Sequence, residues 1–181
     1  NFKKNKIYAF VNQIKYTSTD FKQYKLGSRK KLLLDSLDLL FVRQDPPYNM
    51  TYISSMHLLE QINSKTRIIN CPKGIRNSPE KLLMLKFPNL IPPTIITRSE
   101  KEVNKFISTH QNCVIKPLYG NGGEGIHRSK NDCIEGIDLD NEYLEMPIMI
   151  QKYIPEISQG DRRIIFFDGE YVGSVARIPS E

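Results

Sequence analysis

Lys116 ends the apolar run Cys113-Val114-Ile115 and leads into a loop with glycines at 120, 122, 123 and 125. Glycines that dense let backbone N–H groups converge on an anion with no side chain in the way. The lysine at the loop's entrance adds a full positive charge at the same place. A strand, a lysine, a glycine loop and a second strand therefore suggest a clamp for nucleotide phosphates. The plainer reading is a hairpin turn that binds nothing.

Other glycine loops fit less well. Gly120, Gly122 and Gly125 satisfy G-x-G-x-x-G, but a dinucleotide site needs a helix opening at the last glycine and an acid about 20 residues on. Here Ile126-His127-Arg128-Ser129-Lys130 follows, with no helical period. No Gly-Lys-Ser/Thr ends the run, which excludes a Walker loop. In a protein kinase the lysine lies on a later strand than the glycines; here it comes first.

The elements that must position these residues can be read along the chain. Residues 7–16 are strand-like, and 17–31 are polar and read as a loop or insertion. Residues 37–42 carry a buried-strand signal that stops at Pro46-Pro47. Tyr52, Ile53, Met56, Leu59 and Ile62 then share a helical face, and residues 66–70 make a short strand. Residues 37–70 thus predict a βαβ unit with a parallel pair. Pro79 opens a short helix, and residues 93–98 form a strand. Ser99-x-x-Glu102 matches a capping box before the apolar face Val103, Phe106, Ile107 and His110. Residues 131–146 are polar and acidic, either helix or loop. Residues 148–154 form a strand, and Asp168-Gly169 predicts a hairpin between 162–167 and 171–177. A break falls near 74–78.

Composition narrows the class. The chain has 181 residues, 39% of them hydrophobic and 25% charged, as ordinary soluble domains do. No run of eighteen apolar residues and no signal peptide is visible, so no membrane partner is expected. The chain opens without methionine, from which we expect a processed, trimmed or partial sequence. Cys71, Cys113 and Cys133 are widely spaced and odd in number, which fits free thiols in a reducing cytoplasm. His57, His110 and His127 have no metal-ligand spacing. The net charge is +6, with Arg29-Lys30-Lys31 the tight basic cluster. We read no aromatic-interleaved basic stripe, so no nucleic-acid partner is expected.

Several motifs agree on one resemblance. Lys81 on a helix, Lys116-Pro117 with its glycine loop, Gln151-Lys152-Tyr153-Ile154 and Asp161-x-Arg163 occur in the order of the ATP-grasp ligases. The chain most resembles the bacterial glutathione synthetase family over about residues 37–181. The family's R-K-D-P-P-F-D is met by Arg43-Gln44-Asp45-Pro46-Pro47-Tyr48-Asn49, with Gln44 for lysine and Asn49 for aspartate. Asn70-x-Pro72, Arg76 and Glu80-Lys81-Leu82 match a second run, in which Pro79 stands where the family often has asparagine. Residues 116–123 match K-P-L-x-G-x-G-G, and 160–163, 168–170 and 176–179 match G-D-x-R, D-G-E and A-R-I-P.

The resemblance implies an ATP-grasp fold, α/β and α+β, incomplete at both ends. Residues 1–76 would be a partial parallel-sheet N-terminal substrate domain. Residues 77–152 would be the central lid domain with the glycine loop, and 153–181 the start of a C-terminal domain. It implies ATP and Mg2+ as cofactors and γ-glutamylcysteine and glycine as substrates, in a cytoplasmic homo-oligomer. Lys81 and Lys116 would hold phosphates, with Gly120, Gly122 and Gly123 supplying N–H groups. Gln151, Tyr153 and Ile154 would lie at the adenine edge, with Ile150 and Ile154 sandwiching the base. Asp161 would meet the ribose. Arg163 and Arg177 would face the transferred phosphate, and Arg43 and Asp45 the peptide substrate. No metal ligand is expected within the chain; the carboxylates are expected downstream of residue 181. Glu102-x-Asn104 sits inside the capped helix and is not counted as that site. The alternatives are an ATP-binding protein of this fold without catalysis, and another ATP-grasp amino-acid ligase.

Overall fold

A computed structural model describes residues 2–19, 21–63, 65–120, 122–129 and 146–178. The chain divides into two compact units, one of residues 1–86 with 119–122 and one of 87–118 with 123–181. The polar stretch 131–146, but for Met146, and Cys133 and Pro179 lie outside the described residues.

The first unit opens with an antiparallel sheet of β1 (Phe2–Lys3), β2 (Lys6–Tyr16) and β3 (Tyr24–Leu33). The predicted loop over 17–31 is corrected here: most of it is β3, paired with β2 from Tyr8↔Leu33 to Tyr16↔Tyr24. β3 carries no alternation because its first eight residues are all exposed. Next comes β4 (Leu39–Phe41), then α1 (Met50–Leu59), then β5 (Arg67–Ile69), which pairs parallel to β4 as the βαβ reading requires. Met56 is buried at the centre of the predicted helical face, while Tyr52, Ile53, Leu59 and Ile62 are half-buried. Thr66 Oγ1 donates to Leu34 O at 3.2 Å, and Asn63 N to Asp35 Oδ1 at 2.7 Å, tying the end of β3 to the start of β5. Two short helices follow, α2 (Pro72–Arg76) and α3 (Glu80–Leu83), with Pro79 as the N-cap of α3.

The second unit is built on an antiparallel sheet of order β6-β9-β7-β8. Its strands are β6 (Thr94–Thr97), β7 (Cys113–Pro117), β8 (His127–Arg128) and β9 (Ile148–Lys152). The helix α4 (Glu100–His110) lies between β6 and β7 in sequence. Its Val103, Phe106 and Ile107 pack on Cys113, Ile115, Ile148 and Ile150. Strand side chains alternate between faces, so Lys116 and Gln151, which follow Ile115 and Ile150, point to the face opposite α4. Ser99 Oγ accepts from Glu102 N at the head of α4, half of the expected capping box. The Glu102 carboxylate does not return to Ser99 N. It accepts from Thr97 Oγ1, and Ser99 N donates to Thr97 Oγ1 at 2.9 Å instead. The unit ends in the hairpin of β10 (Asp161–Phe167) and β11 (Glu170–Arg177). Asp168 and Gly169 both take positive φ, 52° and 84°, as the predicted Asp-Gly turn demands.

Candidate nucleotide and substrate site

In the first unit, Arg43 and Asp45 follow β4 and are exposed. Among the described residues no ion pair joins them. The segment they flank is fixed by its neighbours. Asn49, where the family has aspartate, caps α1: its Oδ1 accepts from Tyr52 N at 3.0 Å, a task the two residues perform about equally well. The Tyr48 hydroxyl donates to Arg76 O at the end of α2. The Arg76 guanidinium binds both oxygens of Glu60, at 2.8 and 3.2 Å, and that hydrogen bonding holds the Glu60 carboxyl below its ordinary range.

The loop's first residues belong to this same unit. Tyr119 stacks on Tyr48, with centroids 6.1 Å apart and planes within 11°. Lys81, only 8% exposed, donates to Gly120 O at 2.9 Å. The expected phosphate-facing lysine therefore grips the backbone of the glycine loop. A solvated helical lysine would not be buried in this way.

In the second unit, Lys116 Nζ donates to Gln151 Oε1 at 2.8 Å. Gln151 is 5% exposed, and its Nε2 donates to Thr94 Oγ1 at 3.0 Å. The Gln151 side chain, expected at an adenine edge, is thus engaged between a lysine and a threonine. Gly123 and Gly125 have φ of 84° and 68°, and Gly122, at the end of the first unit's loop segment, 64°. Glycine at 125 is favoured by its positive φ, and a Cβ there would also sit tightly, 3.2 Å from Pro117 Cγ. The return strand is pinned by Ser129, which is fully buried: its Oγ accepts from Cys113 N at 2.9 Å and donates to Gln111 O at 3.0 Å. Sequence reasoning passed over Ser129; a serine closing a short strand carries no signal of its own.

Tyr153 lies under the Arg128 guanidinium, 3.6 Å from ring centroid to Cζ, and its N–H donates to Asn112 O. Ile154 is half exposed, as a surface for a flat base would be. Ile150 is not: it is fully buried against α4, which rules out its sandwiching a base. Asp161, Arg163 and Arg177 share one face of the β10–β11 hairpin, with Asp161 directly opposite Arg177. Arg177 Nε donates to Asp161 Oδ1 at 2.6 Å, and Nη2 reaches Oδ2. That hydrogen bonding is the largest of the effects holding the Asp161 carboxyl below its ordinary value; the nearby Arg163 adds to it. Among the described residues no group of three or more His, Cys, Asp or Glu could hold a metal ion, and Glu102 is engaged at the head of α4.

A lysine-tipped strand, a left-handed glycine turn and an antiparallel sheet backed by one helix are the arrangement of an ATP-grasp domain. The crystal structure of the D-cycloserine synthetase DcsG shares this fold, with a TM-score of 0.62 over 80% of this chain and 54% of that one at 16% identity. The family follows from sequence. The model of the prokaryotic glutathione synthetase ATP-grasp domain matches residues 80–181, and that of the N-terminal domain matches 1–76. The chain belongs to the prokaryotic glutathione synthetase family. The glutathione synthetase of Agrobacterium fabrum is 38% identical over 179 residues, 97% of this chain and 56% of that protein. That of Bradyrhizobium diazoefficiens is 42% identical over 160 residues, 87% and 51%. The chain thus spans about half the length of these relatives.

Proposed function

We propose that the protein is an ATP-dependent carbon–nitrogen ligase that joins glycine to γ-glutamylcysteine, forming glutathione, ADP and phosphate. What carries the reading is Lys116, bonded to Gln151 and followed in sequence by a glycine run with positive φ, in a chain matched by both domain models of this family. The cysteinyl carboxylate attacks the γ-phosphorus of ATP and becomes an acyl phosphate. The glycine amine then displaces phosphate through a tetrahedral intermediate. Such chemistry asks the protein for in-line positioning and charge neutralisation.

In this reading Lys81, Lys116, Gly120, Gly122 and Gly123 hold the phosphates. Tyr153 and Ile154 flank the adenine, Asp161 meets the ribose, and Arg163 and Arg177 face the transferred phosphoryl group, where a planar guanidinium suits paired oxygens. Arg43 and Asp45 orient the peptide substrate. We keep the division into a substrate domain (1–76), a lid domain (77–152) and the start of a C-terminal domain (153–181), in a cytoplasmic homo-oligomer. No helix among the described residues is long and apolar enough to cross a membrane. Magnesium would supply charge neutralisation for the transferred phosphoryl group in a reaction of this type. The described residues do not form a site that fits it, and no step is derived through it.

The test is ADP release by the complete protein with ATP, γ-glutamylcysteine and glycine, against D-alanine alone. We expect turnover with the first set and not the second. Lys116→Ala should lower turnover by roughly 10²–10³-fold, the scale for one aligned electrostatic donor, without changing the far-UV spectrum. Equal or better turnover with D-alanine overturns the substrate assignment. Activity within a few-fold of the parent returns Lys116 to the surface.

A further inference from the structure

We propose that the outward face of the β2–β3 ribbon binds single-stranded nucleic acid. Residues directly opposite each other in an antiparallel pair share a face, and faces alternate along a strand. Ile7, Ala9 and Val11 of β2 form the better-covered side: Ile7 is buried and the other two are half-buried. The even-numbered residues of β2 take the outward side. There Lys31 stands opposite Phe10, Arg29 opposite Asn12, Leu26 opposite Ile14 and Tyr24 opposite Tyr16. The register shift does not break this line on β2. Between Asn12 and Ile14, β2 advances two residues while β3 goes from Arg29 to Leu26, so the extra residue lies on β3. Asn12 Nδ2 donates to Gly27 O at 2.8 Å across that bulge. Lys6 shares the outward face and has Lys3 of β1 opposite it.

One face therefore carries four exposed cations, Lys3, Lys6, Arg29 and Lys31. It also carries open rings: Phe10, Tyr16 and Tyr24 are 54%, 50% and 56% exposed. Phe10 and Tyr16 are spread over about 20 Å of β2, at about 3.4 Å per residue. Arg29 lies 5.2 Å from the centre of Phe10, so charge and ring are presented together. Tyr16 and Tyr24 brace each other edge to face, with centroids 6.4 Å apart. Contiguous exposed apolar groups of this kind mark an interaction surface. The charge selects its partner. Residues 1–31 hold nine lysines and arginines against one acid, so the partner must be an anion. A second copy would set this charge against itself. An anionic bilayer rewards an apolar face segregated from a charged one, whereas here cations and rings share a single line. A polymer with a phosphate and a flat nucleobase at every repeat suits that order: cations track the backbone and nucleobases stack on the rings. We therefore set aside the expectation of no nucleic-acid partner. The ligase reading is independent of this surface.

The test is binding of fluorescein-labelled oligouridylate and oligothymidylate to the complete protein, read by anisotropy. Strands of about 12 nucleotides suit a single binding module. Both should bind, and a preference for one assigns RNA or DNA as the partner. As sodium chloride is raised from about 0.05 to about 0.2 M, log affinity should fall against log salt with a slope of about −3, at about 0.7 per cation engaged. Arg29→Gln and Lys31→Gln should each flatten that slope by about 0.7. Tyr24→Ala should weaken binding about tenfold at unchanged slope, the scale of one nucleobase stacked on a ring. Tyr24→Phe, which keeps the ring, should bind as the parent does. Phe10→Leu repeats the ring test without touching the tyrosine pair and should also weaken binding about tenfold. Equal binding of an abasic oligomer of the same length, or no effect of either ring variant, would mean that charge alone attracts, and overturns the proposal. Tighter binding of the duplex does the same. So does failure of both single strands to bind at low salt, whether phosphatidylserine vesicles bind in their place or a dimer of the protein covers Phe10.

Discussion

Asp161 and Arg177 show how two residues with separate expected roles become one unit. They lie sixteen positions apart in sequence, and only the register of β10 on β11 sets them face to face. Glycine loops and a Lys-Pro pair can be read from the sequence because the chemistry is local. A cross-strand partner cannot, because it depends on where the turn falls and on the register shift between Ile165 and Phe166. The same holds for Lys81, which reads as a helical lysine and is buried on a carbonyl 39 residues away. Pairing also has a pH signature. Hydrogen bonding from Arg177, with help from Arg163, keeps Asp161 ionised below its ordinary pKa of about 3.9. A carboxylate depressed in the folded state stabilises it above the unfolded pKa and ceases to do so as pH falls through the folded one. The Asp161–Arg177 contact should therefore be constant above about pH 5 and be lost only below about pH 4. A 13Cγ titration of Asp161 should give a midpoint below the ordinary value, and Arg177→Gln should move it upward. An unmoved midpoint in Arg177→Gln would show that the ion pair does not form in solution.

Among elements, the β10–β11 hairpin was legible at its turn and not at its base. Asp168-Gly169 announces a two-residue turn because both positions need positive φ. The base depends on Gly160, which sequence alone reads only as part of G-D-x-R. Gly160 has φ of 97°, and a Cβ there would lie 2.4 Å from Arg177 O. That atom is backbone of the partner strand, so it cannot swing aside. Gly173 is the control within the same hairpin: a Cβ there meets nothing within 4 Å, and its backbone is ordinary. We expect Gly160→Ala to open the hairpin base and Gly173→Ala to be tolerated. Amide exchange at residues 161–163 and 175–177 measures this: it should accelerate in the first variant and stay near the parent in the second. Equal protection in both would mean that the base does not need the close approach. β3 failed to show in the sequence for the opposite reason. Its outward lysines and arginine leave no period-2 pattern, and its strand character comes from pairing with β2 rather than from a buried face.

At the scale of the whole molecule, the charge is unevenly shared. Residues 1–31 hold nine of the 26 lysines and arginines and one of the 20 acids, a net +8, so the remaining 150 residues carry −2. The basic excess is therefore concentrated on the β1–β3 sheet and its turns. Strand pairing also brings bases onto rings far away in sequence: Lys31 sits 4.4 Å over the Tyr8 ring, and Arg29 sits 5.2 Å from the centre of Phe10. These contacts offset part of the repulsion. They do not remove it, because Lys15 lies directly opposite Lys25, and Lys3 opposite Lys6. Like charges opposed across strands destabilise the pair. Salt should relieve this, since the screening length falls from about 30 Å at about 0.01 M to about 10 Å at about 0.1 M. A protein whose exposed charges were mainly paired would instead lose stability as salt rose. We therefore expect amides of residues 7–16 and 24–33, corrected for intrinsic rates, to exchange more slowly as sodium chloride is raised through that range. Lys25→Glu replaces a like pair by an opposite one, so it should slow exchange at low salt and flatten the salt response. Exchange in the parent that is unchanged or faster at high salt would show that the +8 charge does not strain this sheet, and that its rings and backbone pairing alone set its stability.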